Sequence, residues 1–140
     1  MIPGSKRKAL QRTLAQYPID VAYLFGSQER GDTGPGSDVD IGVYFGRDLN
    51  SRDRFDHRLS LIGKISNCLQ TDRIDLVSLS DAPLSLQFRA IREGGILYCR
   101  DELTRIRTEV RVMSLYYDEQ YYSRRHASLM IERIAQEGIL

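Results

Sequence analysis

Residues 21–45 have the sequence VAYLFGSQERGDTGPGSDVDIGVYF, in which two apolar segments flank a stretch rich in glycine and polar residues. The first segment, residues 21–25, is a short continuous apolar run, which is typical of a buried strand. In the second segment, residues 38–45, apolar side chains alternate with others, which predicts a strand that turns one face to the core. Residues 31–37 contain three glycines and one proline, which predicts a loop between the two strands.

Two carboxylates open the second of these strands. Asp38 and Asp40 are two positions apart, so on a strand their side chains point to the same face. Val39 and Ile41 point to the opposite face, into the core. Adjacent carboxylates repel each other unless a cation lies between them, and Mg²⁺ is commonly held by one or two carboxylates together with substrate phosphates. The pair therefore indicates a site for a divalent metal ion.

A third acid, Asp75, lies early in the next predicted strand, residues 74–79. If that strand pairs beside residues 38–45, all three acids can meet at one end of the sheet. Two plainer explanations stay open at this point: Asp38 can be an ordinary turn residue, and Asp75 can be the salt-bridge partner of Arg73.

Gly26 and Ser27 follow directly on the first strand. Glycine allows a sharp turn and lets a phosphate approach the backbone. Ser27 then starts a turn or short helix whose outward N–H groups, with the serine hydroxyl, form an anion site. A strand, Gly-Ser, ten further residues and Asp-x-Asp at the start of another strand together form a strong signal for a site that binds phosphate and metal.

The remaining pattern is that of an α/β (α+β) domain, in which helices flank a small mixed sheet of about four strands. The predicted helices are at residues 5–17, 51 to about 69, 83–93 and 101 to about 135. The predicted strands are at residues 21–25, 38–45, 74–79 and 96–99. At ~1.5 Å per residue the last helix would be ~50 Å long. It must therefore bend, or its far half must extend beyond the core.

The composition is that of one ordinary globular domain, residues 1–140. Of the 140 residues 41% are hydrophobic and the formal net charge is +1, so we expect no direct binding to nucleic acid. We also expect no association with a membrane, because no apolar run approaches ~20 residues and the N-terminus lacks the apolar segment of a signal peptide. Two cysteines without neighbouring ligands, Cys68 and Cys99, fit a reducing cytoplasm, support no zinc site and are expected to be buried.

The last predicted helix carries more apolar surface than one helix face can hide. Five apolar residues follow one another at spacings of three, four, three and four, and form a seam that packs on the domain or on another chain: Leu103, Ile106, Val110, Met113 and Tyr117. Four tyrosines are candidates for a partner-binding surface, because aromatic residues are favoured at interface centres: Tyr116, Tyr117, Tyr121 and Tyr122. The alternative is that they pack on this chain's own sheet.

The Gly-Ser-x10-Asp-x-Asp pattern of residues 26–40 resembles the signature of the DNA polymerase β-like nucleotidyltransferase superfamily. Arg30 and Ser37 fall where that family often has the same residues, and Asp75 stands where its third acid is expected. Glu29 departs from the small residue that is common there. The length, the absence of an appended domain and the tyrosine-bearing last helix resemble the minimal nucleotidyltransferase (MNT) antitoxins, which are encoded beside a HEPN-domain ribonuclease toxin. This resemblance extends from residue 5 to about residue 122.

The resemblance implies the polymerase β-like fold and an Mg²⁺-dependent enzyme, with two metal ions for which Mn²⁺ can substitute. It implies transfer of AMP from ATP to a tyrosine hydroxyl of the partner toxin, with release of pyrophosphate. The residues that it implies for catalysis and metal binding are Asp38, Asp40 and Asp75. Those that it implies for the nucleotide phosphates are Gly26, Ser27 and, for pyrophosphate, Arg30 or Arg47.

Two other functions remain open from the sequence. In one, the antitoxin blocks its toxin by binding alone, through the long last helix of about residues 101–135, and the site in the core of about residues 5–100 is inactive. In the other, the chain is a nucleotidyltransferase that modifies small molecules such as antibiotics. The complete set of acids favours a protein-modifying enzyme over the first, and the short segment after Cys99 argues against the second.

Overall fold

A four-stranded mixed sheet lies at the centre of the computed structural model, which describes residues 2–25 and 39–137. The strands are β1 (Ile19–Phe25), β2 (Val39–Phe45), β3 (Ile74–Ser78) and β4 (Gly95–Cys99), in the spatial order β3-β2-β1-β4. β1 is antiparallel to both of its neighbours, β2 and β4, whereas β2 and β3 are parallel. The prediction of a small mixed sheet is therefore confirmed.

Helices cover both faces of this sheet. They are α1 (Gly4–Ala15), α2 (Ser51–Leu69), α3 (Leu84–Glu93) and α4 (Glu102–Glu137), and a 3₁₀ turn (Leu79–Asp81) lies between β3 and α3. The sequence sets the limits of α2 locally. The side chain of Asn50 accepts a hydrogen bond from the Asp53 N–H at 2.8 Å, which satisfies one of the free donors at the helix start. Gln70 ends the helix in the left-handed conformation, with φ of 54°.

The two faces of the sheet bury separate apolar clusters. Val39, Ile41, Val43 and Phe45 point to one face, where they pack with residues of α1 and α2. Tyr44 points to the other face, which is covered by α3 and by a short part of α4. The alternation predicted for residues 38–45 is therefore confirmed. Cys68 and Cys99, which were expected to be buried, are only partly so, because both lie at the margins of these clusters.

Three contacts in its first half hold α4 against the sheet and α3. Val112 is the residue of α4 that is fully buried. The buried hydroxyl of Tyr23 donates to Glu109 Oε1 at 2.6 Å, and burial with this hydrogen bond raises the pKa of Tyr23 well above its usual value. Tyr116 stacks on Phe88 with ring centroids 3.8 Å apart. The helix continues for a further 20 residues or so past these contacts, so its far half extends beyond the core.

The apolar seam of α4 does not pack on this chain's own sheet. Its five residues are all exposed, from Met113 at 37% to Val110 and Tyr117 at 57%. The face of α4 that carries the contacts to the sheet is a different one, which contains Glu109, Val112 and Tyr116. Among the tyrosines, Tyr116 belongs to the core packing, whereas Tyr117, Tyr121 and Tyr122 are exposed. Within the residues described here, no helix is both long and apolar enough to cross a bilayer.

Gly94 lies where α3 meets β4, and there the chain comes very close to β1. A Cβ atom at this position would overlap the carbonyl oxygen of Ala90 and lie 3.2 Å from that of Leu24. Both are backbone atoms with little freedom to move. We therefore expect Gly94→Ala to lower the free energy of unfolding by about 1–3 kcal/mol, the usual cost of overpacking, as measured by urea denaturation.

Gly63 is the matched control for this substitution. It is exposed on α2, and nothing lies within 4 Å of a Cβ atom built there. Gly63→Ala should stabilise the protein by up to about 1 kcal/mol, because alanine favours the helix over glycine. A Gly94→Ala protein as stable as the wild type would contradict the close approach of the two backbones.

Candidate active site

Asp40 and Asp75 lie side by side on neighbouring strands. Each is the second residue of its strand, and the parallel pairing of β2 with β3 places the two in the same register. The backbone N–H of Val39 donates to the carbonyl oxygen of Arg73 at 2.9 Å, which holds this register at the end of the sheet. Strands in a sheet are ~4.8 Å apart and register partners share a face, so the two carboxylates start from adjacent positions on one face.

Buried apolar residues lie close to Asp40. Its partner on β1 is Phe25, the last residue of that strand, which is buried. Two residues further along β2 is Gly42, where a Cβ atom would lie 2.9 Å from the side chain of Leu79. Leu79 is itself fully buried. Asp40 is therefore half-buried above an apolar floor, and Asp75 is exposed at the rim.

The chain leaves β1 at this same end of the sheet, because Phe25 pairs with Asp40. The next residues in the sequence are Gly26 and Ser27. These two, together with Arg30 and Asp38, lie outside the described residues. The described part of the predicted site is therefore the pair Asp40 and Asp75 and the end of β1 next to them.

The donor chemistry of the pair fits a hard divalent cation. Two carboxylate groups on adjacent strands offer the oxygen ligands that Mg²⁺ prefers, and Mg²⁺ needs few protein ligands when substrate phosphates supply others. Across residues 2–25 and 39–137, no group of three His, Cys, Asp or Glu side chains comes together as a metal site. The third carboxylate of the predicted set, Asp38, is outside those ranges.

Arg47, which the resemblance offered for pyrophosphate, lies far from the acid pair, whereas Gly94, which was not predicted for the site, lies close to the end of β1. Arg47 follows the far end of β2, about 20 Å from Asp40 along the strand, so it cannot reach a phosphate held at the acid pair. Gly94, the residue that follows α3, packs on the carbonyl oxygen of Leu24 beside the end of β1. A glycine pair after a helix gives no signal for such a contact, because the contact depends on which strand lies opposite.

A known protein family has a sequence pattern that matches the part of the chain that carries the acid pair. Residues 8–103 of the chain match the family described as Polymerase beta, Nucleotidyltransferase. The chain belongs to this nucleotidyltransferase family. The match spans β1 to β4, and therefore both strands that carry the acid pair and the end of β1. A search of curated proteins gave no match.

Solved structures share the fold of this nucleotidyltransferase over most of its length. A chain of a toxin–antitoxin complex with AMP-PNP has a TM-score of 0.69 at 24% identity, over 93% of this chain and 99% of its own. A chain from the Shewanella oneidensis complex of a tri-AMPylated HEPN toxin with an MNT antitoxin has a TM-score of 0.65 at 22% identity, over 91% and 97%. A chain of the MntA-HepT toxin–antitoxin has a TM-score of 0.66 at 21% identity, over 92% and 99%.

These likenesses extend beyond the family match. The family match ends at residue 103, near the start of α4, whereas coverage above 90% of the chain must include much of that helix. The polymerase β-like fold with a long last helix, predicted from the sequence, is therefore confirmed. At these identities the likeness establishes the fold, and activity and partners are separate questions.

Proposed function

We propose that this nucleotidyltransferase is an antitoxin that transfers AMP from ATP to a tyrosine hydroxyl of a HEPN-domain toxin. The observation that carries the proposal is the register pairing of Asp40 with Asp75 at the end of the sheet where β1 leads into Gly26 and Ser27. The toxin–antitoxin complexes with the same fold support the choice of acceptor, since one of them contains an AMPylated HEPN toxin.

The reaction follows from the roles proposed for these residues. The tyrosine oxygen attacks the α-phosphorus of ATP, the bond from this phosphorus to the β-phosphate oxygen breaks, and pyrophosphate leaves. Gly26 and Ser27 would hold the β- and γ-phosphates and Arg30 would offset the charge of the leaving pyrophosphate. The phenol proton passes to a carboxylate, for which Asp75 is suited because it is exposed at the rim, where a protein acceptor can approach.

Asp38, Asp40 and Asp75 would hold the two divalent cations of this proposal, Mg²⁺ or Mn²⁺. When bound, such ions stabilise the negative charge that develops on the attacking and leaving oxygens. The half-buried position of Asp40 over Phe25 and Leu79 supports this role, because an apolar floor keeps the carboxylate in place and limits the water around it.

The far part of α4 is the proposed partner-binding segment. Tyr117, Tyr121 and Tyr122 are 57%, 60% and 70% exposed. Tyr117 also packs edge-on against Phe88, whereas Tyr121 and Tyr122 lie beyond the contacts that attach the helix to the sheet and to α3. Exposed aromatic side chains in a group are typical of protein interfaces. Tyr116, in contrast, stacks on Phe88 of this chain. We therefore do not include it among the proposed partner contacts.

A second function is favoured by the same helix: neutralisation of the toxin by binding alone. An exposed helical segment of this length could cover a toxin's active site without any chemistry. The two functions differ in whether the toxin is covalently changed, and the metal requirement of the reaction distinguishes them.

We expect AMP transfer to require ATP and a divalent cation together. The carboxylates should bind the cation well only when phosphates complete its ligands. Intact-mass spectrometry of the HEPN toxin, after incubation with ATP and Mg²⁺, should show an increase of one or more AMP groups, and excess chelator should abolish it. Modification that continues in excess chelator would contradict the metal-dependent reaction. An unmodified but inhibited toxin would support neutralisation by binding.

A further inference from the structure

A cavity of about 340 Å³ opens at the end of the sheet opposite the acid pair. The start of β1, the end of β2, the first turns of α2, the segment leading into α3 and the first half of α4 all contribute to its lining. Tyr44, which lines the cavity, is four residues from Asp40 on β2, or ~13 Å along the strand. Leu79 packs against Gly42 between them. The cavity is therefore separate from the candidate active site.

Three arginine side chains line this cavity, and each comes from a different element. Arg54 of α2 is already engaged, because it forms a salt bridge with Asp81 at 2.6 Å and also donates to the carbonyl oxygen of Leu49. Arg47, after β2, and Arg111, on α4, form no salt bridge with any residue in the described ranges 2–25 and 39–137. Within these ranges neither guanidinium group is held in a salt bridge, and the charge of Arg47 acts on Asp20.

The other lining groups suit an anion with several oxygens. Ser80 Oγ accepts a hydrogen bond from the Phe45 N–H at 3.1 Å, so its own O–H can donate to a ligand. Thr108, a second hydroxyl-bearing residue, lines the same space. Among the described lining residues Asp20 is the one carboxylate, against Arg47 and Arg111, since the charge of Arg54 is already offset by Asp81. Burial raises the pKa of Asp20, and its negative charge is further offset by Arg100 and Arg47. The cavity therefore has an excess of positive charge.

We propose that this cavity binds a small phosphate-bearing anion, held by Arg47 and Arg111. Guanidinium groups from two separate elements, together with hydroxyl donors, can surround a tetrahedral oxyanion that carries more than one charge, whereas a monocarboxylate is matched by the fork of a single arginine. The volume is at the lower end of the ~300–1,000 Å³ that is usual for small-molecule pockets. A bound anion would link the end of β2 to α4, the helix that carries the proposed partner surface.

The test is a titration of the ¹⁵N-labelled full chain with inorganic pyrophosphate, in excess chelator so that no divalent cation brings the ligand to the acid pair. We expect saturable shifts of the Gly46, Arg47 and Thr108 amides, with a Kd below ~1 mM. The double variant Arg47→Gln with Arg111→Gln should raise the Kd at least ~10-fold, the loss of about 1.4 kcal/mol of binding energy. Asp20→Asn should lower the Kd, because it removes the negative charge of Asp20 from the lining.

Arg125→Gln is the matched control, since Arg125 is exposed on the far part of α4, away from the cavity, and the Kd should not change. The absence of saturable shifts would overturn the proposal, as would an unchanged Kd in the double arginine variant or shifts confined to residues around Phe25, Asp40 and Asp75. Titration with malonate tests the ligand class. Tighter binding of this dicarboxylate than of pyrophosphate would overturn the assignment to phosphate.

Discussion

Replacement of Asp40 and Asp75 together by asparagine should reduce AMP transfer by ~10³-fold or more, on the scale of the loss of an electrostatic group at a reacting centre. Asparagine keeps the shape of aspartate but removes the charge that would hold a divalent cation between β2 and β3. The fold should survive, because Asp75 is exposed and Asp40 is half-buried near the end of its strand, and asparagine has nearly the same size as aspartate. The measurement is the initial rate of AMP incorporation into the toxin, with circular dichroism to verify the fold.

Asp48→Asn with Asp56→Asn is a control that removes the same number of charges from exposed positions, one between β2 and α2 and one on α2. It should transfer AMP at the wild-type rate. A double variant at positions 40 and 75 that keeps near-normal activity would show that the two paired acids are not the metal ligands. A variant that fails to modify the toxin but still inhibits it would separate binding from catalysis in a single protein.

Truncation of α4 after Tyr117 should weaken the complex with the toxin by at least ~100-fold, while the fold and the binding of ATP with Mg²⁺ are retained. The three contacts that attach α4, through Glu109, Val112 and Tyr116, all precede the cut. The truncation removes Tyr121 and Tyr122, and interface anchors of this type contribute ~2 kcal/mol or more each. Calorimetry on the same truncated protein can measure both affinities, for the toxin and for the nucleotide.

Full-length variants show whether the rings themselves matter. Tyr121→Ala with Tyr122→Ala should reproduce much of the lost affinity, whereas Tyr121→Phe with Tyr122→Phe should retain most of it, because the buried ring area is unchanged. Full affinity in the truncated protein would show that the toxin binds elsewhere. The exposed seam from Leu103 to Tyr117 would then be the surface to test next.

The local sequence was sufficient to predict the helices and strands and to indicate that the paired acids suit a metal ion. The periods of two and of about 3.6 residues are properties of the chain itself, so the alternation of Val39, Ile41 and Val43 predicted both a strand and its buried face. The limits of α2 were predicted closely, as residue 51 to about residue 69, because a helical period of apolar residues is a property of the local sequence. The prediction that Asp38 and Asp40 share a face likewise depends only on their spacing of two residues on a strand.

Which residues distant in sequence come into contact was decided only by the tertiary structure. The sequence could place Asp75 beside Asp40 only on the condition that their strands pair, and that pairing depends on contacts between residues 35 positions apart. The sequence also left open whether the apolar seam of α4, from Leu103 to Tyr117, packs on the sheet. The helix instead uses the face of Val112 for that purpose, because Tyr23 and Phe88 are positioned there by β1 and α3. Arg47 is near Asp40 in sequence, yet an extended strand carries it to the opposite end of the sheet, where with Arg111 it lines a cavity that no local pattern indicates.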